Sequence, residues 1–327
     1  MPTLETVTGP IDVGSLGTVL MHEHVFVLSP EIQETYPGAN GWDEEAGIAK
    51  ARETLTALKQ RGVDTIVDLT VVGTGRNVRR VARAIEGTGL QVVVATGIYT
   101  YDAVPKFFHF RGPGTELGGD DELMIQMFVD DIEKGIEGTS IKAGVLKCAT
   151  DEPGMTPGVE RVIRAVAAAH RRTGVPISTH THAPTKRGLE QQAVLREEGV
   201  DLSRVVIGHS GDTTDVDYLS ELCEAGSFIG MDRFGIDIQL PFEDRVETVA
   251  EMCRRGYAGS MVLSHDAGVF MDWLPMELLP AVVPNWHYHH IHDDVLPALR
   301  ERGVTEDQIT AMLVGNPQRF FSAQDPY

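Results

Sequence analysis

Residues 143–180 read "AGVLKCATDEPGMTPGVERVIRAVAAAHRRTGVPISTH", and this stretch decides the fold. It opens and closes on short runs suited to β-structure, 143–149 and 175–180. Between them lies a helical pattern over 157–173. Thr156 is placed to cap that helix, Pro157 sits at its first position, and Val159, Val162, Ile163, Val166 and Ala167 share one face. A strand, a crossover helix and a second strand make a βαβ unit, which requires a parallel sheet.

The same alternation recurs along the chain. Strand-like runs occur at 18–28, 63–70, 90–99, 140–149, 175–180, 204–209, 227–232 and 260–266. Helical patterns follow them at 43–61, 75–86, 121–135, 157–173, 185–199, 214–225, 243–256 and 289–302. Eight such repeats predict a closed (β/α)8 TIM barrel, one domain over residues 1–327, with the residues before the first strand capping its bottom. Two long connections, 100–121 and 266–288, fall at strand C-terminal ends, where loops of this fold carry function.

Composition narrows the class. Of 327 residues 42% are hydrophobic, the formal net charge is −20 and the pI is near 4.9. Such a surface repels nucleic-acid phosphates and anionic lipid, so neither nucleic acid nor membrane is expected as a partner. Cys148, Cys223 and Cys253 lie far apart, which fits neither a disulfide framework nor a thiolate metal site. Residues 1–12 have neither a basic start nor an apolar run, and a cytoplasmic location is expected.

Polar exceptions mark the strand ends. His22 and His24 in "MHEH" share a face because the side-chain period of a strand is two. Lys147, His180, His209 and Asp266 close four further strand runs. A lone strand histidine is more often a satisfied core residue than a ligand. Six such residues from five strands, all toward one end, point instead to metal. Four imidazoles and one carboxylate exceed what a single open tetrahedral ion needs, whereas two ions about 3.5–4 Å apart would use them all. Two close dications require an anionic bridge, and the set has one carboxylate. A buried Lys147 amine that adds CO2 would supply the missing bridge as a carbamate.

Other histidines fit less well. His182 falls beyond its strand end, His265 points away from Asp266 and suits packing against a helix, and "NWHYHHIHDD" at 285–294 reads as a solvated helix start. Cys148, facing away from Lys147, reads as packing.

With "MHEH", the lysine before "DEPG", "STHT", "IGHSGDT", "MDRFG", "LSHD" and "NPQRFF" in this order, the chain resembles the phosphotriesterase-like lactonases of the amidohydrolase superfamily over essentially its whole length. The resemblance implies that His22, His24 and Asp266 bind a buried divalent ion and His180 and His209 a more exposed one. The ions would be zinc, cobalt, iron or manganese. It implies that carbamylated Lys147 and a nucleophilic hydroxide bridge them, with Asp266 taking the proton. Tyr99 would stand near the exposed ion, and Arg233 and Trp273 beside the substrate. The implied activity is hydrolysis of lactones, N-acyl-homoserine lactones (quorum quenching) foremost, with weaker phosphotriesterase activity. Phosphotriester or carboxylester hydrolysis as the main activity is the alternative, and a homodimer is expected.

Two readings stay open at the pocket. Arg233 either contacts substrate or is locked in a salt bridge with Asp232 or Asp237. Val269, Phe270, Met271, Trp273 and Leu274 either hold an acyl chain or serve loop packing or a dimer contact. "AGVF" after Asp266 departs from the tyrosine-cysteine pair of some relatives, which leaves the shape of the acyl subsite open.

Overall fold

The computed structural model describes residues 2–115, 118–119, 121–323 and 325–327; residues 116, 117 and 120 of the 100–121 connection lie outside them. Each strand run of the sequence becomes a strand. They are β3 (Val19–Val27), β4 (Thr65–Asp68), β5 (Gln91–Gly97), β6 (Val145–Ala149), β7 (Ile177–His180), β8 (Val205–Ile207), β9 (Phe228–Met231) and β10 (Met261–Leu263). They are preceded by an antiparallel hairpin of β1 (Thr3–Thr6) and β2 (Gly9–Asp12), and followed by β11 (Gly268–Met271). The sheet runs β10-β9-β8-β7-β6-β5-β4-β3-β11, each neighbouring pair parallel.

The sheet curls until its ends meet. Asp266 N–H donates to His22 O at 3.0 Å and His24 N–H to Ala267 O at 2.8 Å, joining the chain after β10 to β3. β11 was not expected from the sequence; it continues from that join and pairs with the second half of β3.

Helices cover the outer face, as the βαβ pattern requires. The helix Pro157–Thr173 is capped by the Thr156 side chain, which accepts from Val159 N, and Val159, Val162, Ile163, Val166 and Ala167 are buried. The last expected helix, 289–302, is a wide π-type turn, Ile291–Val295, that tightens into Leu296–Glu301. No helix of the described residues is long and apolar enough to cross a membrane.

Two apolar layers result. One lies between sheet and helices and includes Leu20, Ile66, Val92, Val94, Leu146 and Ile229. The other fills the inside of the curl with Val19, Met21, Val67, Val93, Val145, Val206 and Val262, closed below by Leu4 of the hairpin and by Phe320 and Phe321. The alternation between layers is strict in β5 and breaks in β3. There the register shifts between Leu20 and Glu23, a β-bulge, so that Met21 and His22 both turn inward. Strict alternation from Leu20 would have turned His22 and His24 outward with it.

Candidate metal centre

The inward phase of the strands ends in polar side chains. Lys147 follows Val145 on β6 and is 1% exposed, while His22, His180 and His209 are also buried. Asp266 and His209 occupy left-handed backbone, φ +56 and +60, which costs of order 1–3 kcal/mol each in residues other than glycine. The surrounding structure holds that strain at the two positions.

Each imidazole is aimed by a partner behind it. His22 Nδ1–H donates to Asp232 Oδ2 at 3.0 Å, and His209 Nδ1–H donates to the other oxygen of the same carboxylate at 2.9 Å. His24 Nδ1–H donates to Thr70 Oγ1 at 2.8 Å, and Thr70 in turn donates to Asp68. His180 is reversed: Nε2–H donates to Asp151 Oδ2 at 2.6 Å, leaving Nδ1 to face inward, 3.4 Å from the Tyr99 hydroxyl. Such hydrogen bonds to the rear nitrogen fix the tautomer and point the other lone pair at a metal.

Three of the inward atoms, those of His22, His24 and His209, converge on Asp266. Its Oδ1 lies 3.1 Å from His24 Nε2 and 3.4 Å from His22 Nε2, and its Oδ2 lies 3.6 Å from His209 Nε2. Among the described residues, sets of three ligand atoms within 4.8 Å of one another are His22, His24, Asp266 and His22, His209, Asp232. Buried acceptors face one another with few protons to share, which is a donor set that fits a divalent cation. Lys147 Nζ lies 3.2 Å from His22 Nε2 and donates to Thr179 O, beside His180, at 3.0 Å.

Charge states follow from burial. It drives the Lys147 ammonium down to about 8, and His180 down to about 4, despite the pull of Asp151. His209 falls well below its usual value for the same reason. Burial alone would raise the Asp266 carboxyl, but His209, His22, His24 and Arg233 hold it well below the ordinary range. Neutral imidazoles and an ionised carboxylate are the ligand forms of these groups.

A cavity of about 460 Å³ opens above this cluster. Tyr99, Tyr101, Arg233, Met271 and Trp273 line it, together with Ile236, Leu274, Leu278 and Val282. Phe270 does not join them. Met271 faces the cavity while the Phe270 ring packs on Trp42, 4.9 Å between centroids. Val269 likewise packs against the core between sheet and helices. Arg233 lines the cavity and is locked in salt bridges, though not with the partners expected. Its Nε donates to Asp266 Oδ2 at 3.0 Å and its Nη1 to Asp212 Oδ2 at 3.0 Å, rather than to Asp232 or Asp237, and Arg245 holds Asp212 from behind at 2.7 Å.

Sequence reasoning missed several residues here. Asp151 and Asp212 each follow a strand, where acidic residues are ordinary and carry no signal, and Asp232 was considered only as a partner of Arg233. Tyr101 was missed too; its ring lies 5.2 Å from that of His180 and its hydroxyl is bonded to Tyr99. Of the other histidines, His182 and His265 behave as expected, whereas the stretch 285–294 is not a solvated helix start: Tyr288 and His290 are buried and the helical turn begins only at Ile291. His182 bonds Thr185 beyond its strand end, and His290 is held by Asp294 beside Phe242. His265 is wholly buried and held by Glu23.

Known proteins resemble this one throughout. A family model, the Phosphotriesterase family, matches residues 2–321. The solved structure of the phosphotriesterase from Mycobacterium tuberculosis is 62% identical, covers 100% of both chains and superposes with a TM-score of 0.97. An aryldialkylphosphatase of Saccharolobus solfataricus is 41% identical over 95% of this chain and 97% of its own. The crystal structure of a mutant of a Deinococcus radiodurans PTE-like lactonase is 37% identical, covers 97% of this chain and 99% of its own, and has a TM-score of 0.88.

Proposed function

The chain belongs to the phosphotriesterase family of hydrolases, and we propose that its own reaction is the opening of lactone rings at a two-metal centre. N-acyl-homoserine lactones are the proposed substrate class, with slower phosphotriester hydrolysis alongside. Under this reading the curled sheet is the (β/α)8 barrel of one domain, residues 1–327. The observation that carries it is the meeting of the His22, His24, His209 and Asp266 ligand atoms in a cavity lined largely by apolar side chains.

His22, His24 and Asp266 would hold one divalent ion, zinc, cobalt, iron or manganese, and His180 and His209 the second, with Lys147 between them as a carbamate. Bound there, such ions supply Lewis-acid polarisation of a carbonyl and an activated water at neutral pH. The rest falls to side chains. Asp266, ionised and anchored by Arg233, is placed to take the proton of the attacking water and return it to the departing alkoxide. Burial holds the Tyr99 hydroxyl well above its usual value, so it stays a donor and can support the oxygen that gains charge. Arg233 bounds the cavity, and Met271, Trp273 and the other apolar lining residues suit an acyl chain.

A panel of acyl-homoserine lactones, γ- and δ-lactones and aryl phosphotriesters on metal-replete protein tests the assignment. Lactones should give the higher kcat/KM. The reverse order would make phosphotriester hydrolysis the main activity, in line with the aryldialkylphosphatase relative. Equal activity before and after chelation would remove the metal.

A further inference from the structure

Glu23, between His22 and His24, has no part in the proposed chemistry, yet it is 0% exposed and its carboxylate is fully engaged. The bulge in β3 turns it out of the cavity, toward the chain that follows β10. Its Oε1 accepts from Ser264 Oγ at 2.8 Å, His265 N–H at 3.0 Å and His265 Nδ1–H at 2.7 Å, and its Oε2 accepts from Ala267 N–H at 2.9 Å. The directions of these bonds are fixed by what surrounds them. Ile291 N–H donates to His265 Nε2 at 3.0 Å, so the ring proton is on Nδ1. Ser264 Oγ accepts from His22 N–H at 2.9 Å, so its own proton goes to Glu23.

All four donors belong to residues 264–267, the turn that carries Asp266 in left-handed backbone. β10 and β3 are not ladder partners, and this carboxylate stands in for the missing ladder. We propose that Glu23 is a positioning residue: by clamping Ser264, His265 and Ala267, it presents the Asp266 carboxylate to His22 and His24. It acts from behind the cavity and touches no substrate. The role concerns the ion that His22, His24 and Asp266 would hold, and so rests on the function proposed above.

Glu23→Gln tests it, because the amide keeps the shape but replaces one acceptor with a donor facing donors. Two measurements are needed. The first titrates metal-free wild type and variant with Co(II) by calorimetry and follows kcat and KM on a lactone. The expected result is one ion bound as in wild type and the other about 10–100-fold more weakly, as for other groups that aim a ligand. Along with this, kcat should fall while KM changes less than about twofold. Loss of both ions together with a collapse of Tm would reduce Glu23 to a structural residue, and unchanged affinities and kcat would remove any role.

The second measurement is a crystal structure of the metal-free variant. The Asp266 carboxylate should move away from His24 Nε2 from its present 3.1 Å; an unmoved carboxylate overturns the proposal. That readout decides the question even if wild type binds no metal, in which case the proposed function fails separately. If Glu23→Gln does not fold, Ser264→Ala removes one of the four donors and takes the same two measurements. A weakening confined to one ion supports the clamp, and none counts against it.

Discussion

Asp232 receives hydrogen bonds from His22, which would serve one ion, and from His209, which would serve the other. Asp151 touches His180 alone among the proposed ligands. The two carboxylates should therefore differ on substitution. Asp232→Asn is expected to weaken both ions together, by about 10–100-fold each, and Asp151→Asn only one. Equilibrium dialysis against Co(II) with metal analysis separates the two patterns. Lys147 allows a sharper test. Lys147→Ala should abolish activity, with partial rescue by a short carboxylate plus bicarbonate. Burial brings the amine down to about 8, and only its neutral form adds CO2. At fixed dissolved CO2, reactivation of metal-free protein by Co(II) should accelerate as pH rises through that value and level off above it. A rate that falls over the same range would exclude a carbamate as the limiting step.

Among the elements, β5 and β6 show how tightly the backbone is shaped around the site. Gly97 pairs with Lys147, and at φ +146 a Cβ would overlap the Lys147 carbonyl. Gly97→Ala is expected to cost roughly 2–4 kcal/mol in urea unfolding, because both the conformation and the space exclude it. The strands themselves were legible in the sequence, being β-branched runs separated by amphipathic helices. So were the proposed ligands, because a histidine or lysine in an inward position of an otherwise apolar strand stands out. Three kinds of feature were not. The bulge in β3 leaves no trace in "VLMHEH", where every residue is compatible with either face. β11 is four residues long, and which of Phe270 and Met271 faces the cavity depends on its pairing with β3. Asp151, Asp212 and Asp232 occupy strand-to-helix turns, where acidic residues are ordinary, and only their partners give them meaning.

At the scale of the whole molecule, the inside of the sheet is apolar below and polar above, and the lower half carries the stability. Phe320 is wholly buried there, its ring 6.0 Å from Phe228, and Phe320→Ala should cost about 3–5 kcal/mol without altering KM. Bound metal should add to stability by linkage, so chelation should lower Tm and Co(II) should restore it in proportion to its concentration. The join between β3 and β10 bears on how the molecule moves. Among the described residues it consists of two backbone bonds, the His22 N–H to Ser264 Oγ bond and the Glu23 clamp, where other neighbouring strands share a ladder. Local opening starts where few bonds must break together. In hydrogen–deuterium exchange of the metal-free protein, the amides of His265, Asp266 and Ala267 should therefore exchange well before those of β5 and β6. Metal should slow them selectively, so that this seam, buried as it is, reports on site occupancy from the protein side.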